Sequence, residues 1–584
     1  MASSGGTPPP AIAPPASLAQ KRVLDDDHAP AVSSPLNPDV QAATKIPAQA
    51  LDDTLTGGRE KRTKKESLKK RESNAGFGRV TESGGGSESR SRATPDPKNT
   101  PSSKKAIRKV DPEAGEISPM RYKLAPPKPG DFDPPRGPVF TSHHEVKSGA
   151  DGSKIEFFET SEHVFNKKNF HYSHCIADPA FPSSFYYRQT EPEPYGAHMS
   201  FEDTSTNVYF DKTARHITTD KGFRGARANV AVREGRWYWE CKVTQGVLKS
   251  KTSPNDPDSH GHVRIGWARR EASVDAPVGF DAYSYGIRDV AGQKVHMSRP
   301  KDFLPPGEDI REGDVIGLEI QLPSENLHRK VVQGRYNPAV DLIDEDAGTL
   351  SYADDEAPNI VRDRIPIRFK AHIYFEKIDY HTTKELEDLM NPSPMSSSGS
   401  VGSSEPPNPT HRFPTLRTLP NSYIKVYKNG QLMGTPWTNL LAFLPPASKP
   451  LAQPGAREGL DDGMLGYYPA VSVFRGGAAE VNFGPNFWYP PPGYSNEDDD
   501  VDMIDVGTQG GKARPRPTGI KPLSERYDEQ IVEDVVYDIV DEVAFWMQDG
   551  GKVIDRAARD DKVEVAGLAA GSGREEIKEL VQDD

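Results

Sequence analysis

The chain has 584 residues, of which 34% are hydrophobic and 27% are charged, and it contains 50 glycines and 54 prolines. This glycine and proline content is above that of an average globular protein, so we expect much of the chain to lie outside a packed core. The sequence has no run of about 18 apolar residues and no N-terminal secretory signal, which argues against a membrane span and against secretion. The two cysteines, Cys175 and Cys241, are too few for a disulfide-rich scaffold or a four-cysteine zinc site. We therefore expect a soluble intracellular protein.

The net charge of -13 is unevenly distributed along the chain. Residues 1–110 contain 19 Lys and Arg against 12 Asp and Glu, and their only aromatic residue is Phe77. Such a composition predicts a disordered basic tail. Its runs 59–71 and 104–109 are rich in Lys and Arg, which indicates a nuclear-import signal or an arm that contacts phosphate backbones with little sequence preference. A tail that only keeps the protein soluble remains an alternative.

Aromatic residues become frequent in residues 111–199, among proline-rich turns. We interpret this region as irregular segments that pack on a β domain. His171, His174 and Cys175 form a possible metal-binding cluster. They lack the distant second pair of ligands that a structural zinc site usually has, so no metal site is predicted.

From residue 200 to residue 494 the sequence alternates between apolar and polar residues, which is typical of β-strands. In 235–243 one face carries Trp237, Trp239, Cys241 and Val243, which predicts a half-buried strand. Asn429 and Gly430 lie between two strand-like runs, which predicts a hairpin over 424–434. We predict further strands at 263–268, 314–322 and 367–375, and a closing strand pair at 471–474 and 480–484. The predicted fold is an all-β antiparallel sandwich.

Two stretches interrupt the predicted strands, and both are rich in serine or proline. They are 388–415 and 446–463, which we interpret as disordered loops inserted into one domain, because long insertions add little closure entropy. Residues 495–522 are predicted to be a linker, and residues 550–584 a disordered tail.

The region 523–549 carries the only long helical pattern in the sequence. Ser524 is a candidate N-cap, and acidic residues follow it in the first turns. An apolar stripe is formed by Val532, Val536, Ile539 and Val543. The stripe could pack on the protein's own domain or in the groove of a partner. Since the helix follows a flexible linker, we favour the partner.

Six short motifs occur in an order that resembles the SPRY domain family: RWYWE, RIGWA, GDVIGL, KVYKNGQLMG, YYPAVSVF and EVNFGP. The phrase APVGFDAYSYGIRDVAGQKVH at 276–296 is similar to one branch of that family, the Bre-two/ASH-two-like subunits of COMPASS-type histone methyltransferase complexes. The resemblance covers about 300 residues. It implies a SPRY β-sandwich in a nuclear, non-catalytic scaffold subunit of a Set-one-type complex that methylates lysine 4 of histone H3.

The same resemblance implies two binding sites. A concave patch would hold an acidic peptide of a WD-repeat subunit of the Swd-one/RbBP-five type, using Arg264 and Arg288 for the carboxylates and an apolar wall of Phe223, Pro277 and Phe280. Phe223 and Phe280 replace tyrosines of the animal proteins, so two hydroxyl donors are missing. The terminal helix would bind a dimer of the DPY-thirty/Sdc-one type.

Motifs of common enzyme classes are absent from the sequence: no GxSxG, GxxxxGK[ST], HExxH or CxxC occurs. We therefore expect neither catalytic residues nor a cofactor. Two other SPRY proteins remain as alternatives. A ubiquitin-ligase substrate receptor would need a RING domain, which two cysteines cannot form, or a box that recruits a cullin adaptor. An RNA-processing protein would carry a phosphate-binding loop.

Overall fold

The computed structural model describes residues 108–109, 127–135, 137–147, 154–160, 172–178, 187–247, 261–342, 360–362, 365–369, 372–391, 405–451, 456–494, 519–548, 550 and 578–579. The basic run 59–71 and residue His171 lie outside these ranges, as do nearly all of the two predicted terminal tails.

The first twelve strands are β1 (Arg108–Lys109), β2 (Thr141–Lys147), β3 (Lys154–Glu159), β4 (Tyr172–Ala177), β5 (Tyr187–Gln189), β6 (Met199–Thr204), β7 (Tyr209–Phe210), β8 (His216–Thr218), β9 (Arg224–Ala228), β10 (Gly235–Gln245), β11 (His262–Ala268) and β12 (Ser284–Arg288). The other twelve are β13 (Lys294–His296), β14 (Arg299–Lys301), β15 (Val315–Leu322), β16 (Ile365–Phe369), β17 (His372–Glu376), β18 (Tyr423–Lys428), β19 (Gln431–Thr438), β20 (Arg457–Glu458), β21 (Tyr468–Phe474), β22 (Ala478–Asn482), β23 (Lys521–Pro522) and β24 (Lys578–Glu579). The α-helices in the described ranges are α1 (Glu325–Gln333), α2 (Lys384–Met390) and α3 (Leu523–Gln548).

Two large sheets face each other and enclose the core. Sheet I has ten strands in the order β19-β18-β15-β10-β22-β8-β7-β3-β2, with β23 added beside β10. Sheet II has seven strands in the order β14-β13-β12-β11-β21-β9-β6. The rings of Trp239 in sheet I and Trp267 in sheet II meet edge to face, with centroids 6.1 Å apart, in one continuous apolar core. The predicted antiparallel β-sandwich is confirmed.

The predicted half-buried strand is β10, and both of its faces are covered. Trp237, Trp239, Cys241 and Val243 lie in the core as predicted. On the opposite face Tyr238 and Glu240 are also buried. The Glu240 carboxylate accepts hydrogen bonds from the backbone amides of Trp488 and Tyr489, at 2.7 and 2.8 Å, so the segment after β22 covers this face.

Two strand predictions are wrong in their pairing. Residues 367–375 are not one strand but belong to the hairpin β16–β17, since the alternation of apolar residues continues through the turn. Residues 471–474 and 480–484 do not pair with each other, because β21 lies in sheet II and β22 in sheet I. The turn between these two strands carries the chain from one sheet to the other.

The region predicted to be irregular, 111–199, contains regular strands in its described parts. The hairpin β2–β3 extends sheet I, and β4 and β5 join β16, β17 and β24 in a small sheet III. Cys175, Ile373 and Phe375 form the apolar cluster of sheet III.

The predicted loop insertions are only partly consistent with the structure. Residues 392–404 lie outside the described ranges, whereas Thr415, at the end of the first predicted insertion, is buried. In the second predicted insertion, Ser448 and Asp461 are buried and contact arginines. The Ser448 hydroxyl accepts a hydrogen bond from Arg269 at 2.8 Å. The Asp461 carboxylate forms an ion pair with Arg233 at 2.5 Å. These described residues belong to the packed domain, and their polar composition reflects buried ion pairs rather than disorder.

Candidate functional site: a cationic sheet face and an apolar helix face

Strand register places Arg264 and Arg288 directly opposite each other. β11 and β12 are antiparallel neighbours in sheet II, with Arg264 paired to Arg288 and Ile265 paired to Ile287. Ile265 and Ile287 point into the core, so both arginines point to the outer face of sheet II. In the structure Arg264 is only 4% exposed, and Arg288 is half-buried.

Phe223 lies over Arg264. The Arg264 guanidinium carbon is 4.9 Å from the centroid of the Phe223 ring, within the range of a cation–π contact. Phe223 precedes β9 and is half-buried. Two of the predicted site residues are therefore in direct contact, and the ring shields the buried guanidinium group from water.

Pro277 and Phe280 belong to a turn that is fastened to the same face of sheet II. The amide of Phe280 donates to the carbonyl of Pro277 at 2.9 Å, and the amide of Val278 donates to the Ser472 hydroxyl at 3.0 Å. Ser472 pairs with Arg264 across β21 and β11, so the turn is attached beside the cationic pair. A Cβ atom at Gly286 would lie 2.5 Å from the Val278 carbonyl oxygen, so only glycine lets the turn approach this closely. We call Arg264, Arg288, Phe223, Pro277 and Phe280 the cationic surface.

The first half of α3 packs into the core of the sandwich. β23 pairs in parallel with β10, and Leu523 and Tyr527 lie in the main core. The helix begins at Leu523, so Ser524 lies inside its first turn and is not the N-cap that the sequence predicted. The Arg526 guanidinium is buried and donates from Nε to the carbonyl of Ala231 at 2.8 Å.

The second half of α3 turns its charged side chains toward the domain. Asp534 pairs with Arg362 at 2.5 Å, and Glu542 pairs with Arg188 of β5 at 2.9 Å. The Arg362 guanidinium also lies 5.0 Å from the centroid of the Tyr537 ring. β5 of sheet III and the segment that precedes β16 therefore bind the charged face of the helix.

This arrangement leaves the apolar stripe of α3 on the outside. Its exposed fractions are 62% for Val532, 50% for Val536, 48% for Ile539 and 50% for Val543. Further exposed apolar side chains widen the stripe: Ile531, Val535, Val540, Trp546 and Met547. We call these nine residues the apolar helix face. A monomer seldom exposes a continuous apolar face of this kind, and such a face marks an interaction site.

A cavity of about 350 Å³ lies away from both surfaces, between sheet II, sheet III and α3. Glu191 lines this cavity, and the sequence did not predict it as a site residue. Burial, reinforced by the nearby charge of Glu202, raises the pKa of Glu191 to about 7. The Tyr527 side chain of α3 lies beside this carboxyl group and opposes the rise of its pKa.

Neither a metal cluster nor a membrane helix is found in the described ranges. In these ranges no group of three His, Cys, Asp or Glu side chains is placed to hold a metal ion. Of the candidate ligands, His174 contacts Glu202 at 3.2 Å and Cys175 is buried in sheet III. None of the described helices is long and apolar enough to span a membrane.

Comparison with known proteins identifies the family. No family model matches the chain. COMPASS component cclA of Colletotrichum higginsianum is 63% identical over 600 residues, which cover 100% of both chains. The chain belongs to this family of COMPASS components. The Set1 complex component ash2 of Schizosaccharomyces pombe is 38% identical over 448 residues, covering 76% of this chain and 55% of that protein. The resemblance to Bre-two/ASH-two-like proteins, predicted from the motifs, is confirmed.

Among solved structures, a human SPRY domain matches 48% of this chain and 98% of its own length. Its sequence identity is 11%, and the TM-score is 0.22.

Proposed function

We propose that this chain is a non-catalytic scaffold subunit of a nuclear Set-one/COMPASS-type complex that methylates lysine 4 of histone H3. Its identity of 63% to a COMPASS component over the full length supports membership of such a complex. In this role the subunit supplies docking surfaces and helps to order the SET domain of the methyltransferase, which carries out the chemistry. The basic tail would direct nuclear import and contact nucleosomal DNA.

The cationic surface binds an acidic peptide of the WD-repeat subunit. The observation that carries this proposal is the direct cross-strand pairing of Arg264 and Arg288. This pairing places two positive charges side by side on one face of sheet II, an arrangement that suits a carboxylate-rich ligand. Guanidinium groups bind carboxylates through charge-assisted, often bidentate hydrogen bonds. Phe223 and Phe280 add apolar contact area. Because phenylalanine has no hydroxyl group, the hydrogen bonds to the peptide come from the arginines and the backbone.

The apolar helix face binds the small DPY-thirty-type dimer. Val532, Val536, Ile539 and Val543 have the spacing of anchors that fill an apolar groove. Ion pairs to Arg188 and Arg362 hold the opposite face of the helix on the domain, so the stripe is free to meet a partner.

Charge reversal at Arg288 tests the first of these contacts. Arg288 is half-buried, so Arg288→Glu disturbs the fold less than a change at the buried Arg264. We expect affinity for the WD-repeat subunit to fall at least about 30-fold, because a carboxylate would then face an acidic ligand. Stimulation of H3 lysine 4 methylation in the reconstituted complex should fall with it.

Arg412→Glu is the control, because it makes the same charge reversal at an exposed arginine outside the cationic surface, whose guanidinium carbon lies 4.3 Å from the centroid of the Phe413 ring. It should leave both readouts unchanged. If Arg288→Glu keeps its melting temperature and still supports full binding and methylation, the proposed role of the cationic surface is wrong.

A further inference from the structure

The turn between β21 and β22 contains an arginine in a left-handed backbone conformation. Arg475 has φ of 44° and is followed by Gly476 and Gly477. Its amide donates to the carbonyl of Lys221 at 2.8 Å, which fixes the turn. Left-handed φ favours glycine or asparagine and is unfavourable for an arginine. The backbone of this turn therefore does not explain why the residue is an arginine.

The Arg475 side chain ends a stack of rings that begins at the cationic surface. Its guanidinium carbon is 5.2 Å from the centroid of the Phe474 ring. The Phe474 ring lies 4.8 Å from the Phe223 ring, centroid to centroid, and Phe223 in turn lies over Arg264. Two cations thus enclose a pair of phenylalanine rings.

The two ends of this stack differ in exposure. Arg264 is buried under Phe223, whereas Arg475 is exposed and Phe474 is half-buried. Among the described residues no carboxylate forms an ion pair with Arg475. An exposed guanidinium group that is held in place by a ring and a fixed turn is preorganised to bind an anion.

We infer that Phe474 and Arg475 extend the acidic-peptide site beyond the five residues of the cationic surface. Arg475 binds a second carboxylate of the ligand, and the Phe223–Phe474 pair supports the peptide between the two cationic ends. Arg475 is then a specificity-determining residue, because it favours ligands whose acidic residues continue past those bound at Arg264 and Arg288. This inference depends on the proposed function of the cationic surface.

The test compares Arg475→Asn with Arg412→Asn in the full chain. Asparagine suits a left-handed φ, so Arg475→Asn removes the guanidinium group without straining the turn, and its melting temperature should not fall. The probe is a fluorescein-labelled ten-residue peptide of alternating Glu and Asp, whose binding is followed by fluorescence anisotropy. We expect Arg475→Asn to bind about fivefold more weakly than the wild type, as for one lost charge-assisted contact at an exposed site. Arg412→Asn removes the same charge elsewhere and should bind like the wild type.

Three outcomes separate this inference from the proposed function. Failure of the wild-type chain to bind the probe would refute the acidic-peptide site and the extension together. If Arg288→Glu weakens binding but Arg475→Asn does not, the site stands and the extension is wrong. If Arg475→Asn and Arg412→Asn weaken peptide binding equally, the loss reflects only the change in net charge, and the extension is also refuted.

Discussion

The cationic surface and the apolar helix face are positioned by different interactions. Backbone register between β11 and β12 sets the position of Arg264 and Arg288. The apolar helix face depends on α3, whose second half is held by side-chain ion pairs such as Asp534–Arg362 and Glu542–Arg188. Strand register cannot change without moving a whole core strand, whereas an ion pair can be removed by one substitution. The helix should therefore be the more adjustable of the two surfaces.

The two surfaces also differ in chemistry. The cationic surface suits a carboxylate-rich ligand. The helix carries eight acidic residues and only one basic residue, Arg526, and its exposed stripe is aliphatic. One partner could not bind both surfaces by the same contacts. Substitutions can therefore separate the two partners.

The largest effect is expected for Val536→Glu. A carboxylate in the middle of the apolar helix face would have to be buried in the partner's groove without a counter-ion, which is strongly unfavourable. We expect affinity for the small dimer to fall at least about 100-fold, measured by pull-down and calorimetry. Binding at the cationic surface should not change.

Val536→Leu is the matched control for that substitution, because it keeps an apolar side chain at the same position, and it should still capture the dimer. Capture of the dimer by Val536→Glu at wild-type level would refute the assignment of the apolar helix face.

A smaller effect is expected from Glu191, which contacts the first half of α3 through Tyr527. Its pKa is raised to about 7, mainly by burial, so folding favours the protonated form. The stability that this site contributes should therefore be fully present below pH 4.5, the ordinary pKa of a glutamate, and be lost as the pH rises to 7 and above. Glu202 and Asp534 add to this loss, and Lys377 opposes it.

Glu191→Gln should remove this contribution to the pH dependence. We expect the variant to gain about 2 kcal/mol relative to the wild type between pH 5 and pH 8.5, measured by chemical denaturation at both pH values. A difference between variant and wild type that does not depend on pH would show that Glu191 is already ionised in the fold.

The smallest effect is expected for Asp534→Asn. Loss of the pair with Arg362 should weaken docking of the second half of α3 by about 1 kcal/mol. Amide hydrogen exchange across 534–547 should become about fivefold faster, while exchange in β11 and β12 stays the same. Asp528→Asn changes an exposed acidic residue of the same helix and should have no such effect. Equal acceleration in sheet II would contradict the proposed independence of the two surfaces.

The sequence predicts local structure well where the pattern itself is decisive. Apolar alternation identified β10, β11 and β15, and Asn429–Gly430 marked the hairpin β18–β19. These signals depend only on a residue's immediate neighbours, and a period of two is unambiguous for a strand. The helical pattern is equally local, and the predicted bounds of the helix agree with those of α3 to within one residue at each end.

The failures concern contacts between segments that are distant in the sequence. Nothing within 471–484 shows that β21 and β22 enter opposite sheets, because either pairing satisfies the same alternation. The strand at 235–243 was predicted to be half-buried because the partners of Glu240 on its other face, the amides of Trp488 and Tyr489, lie about 250 residues away in the sequence. Arg475 was missed because its conformation and its contact with Phe474 become visible only in three dimensions.

The most direct test measures both partners in one experiment. Tagged wild-type chain, Arg288→Glu and Val536→Glu would be purified from cells, and the co-purifying WD-repeat subunit and small dimer would be quantified in each. We predict that Arg288→Glu loses the WD-repeat subunit and keeps the dimer, whereas Val536→Glu keeps the WD-repeat subunit and loses the dimer. Loss of both partners in either folded variant, or retention of both in Arg288→Glu, would contradict the account of two separate docking surfaces.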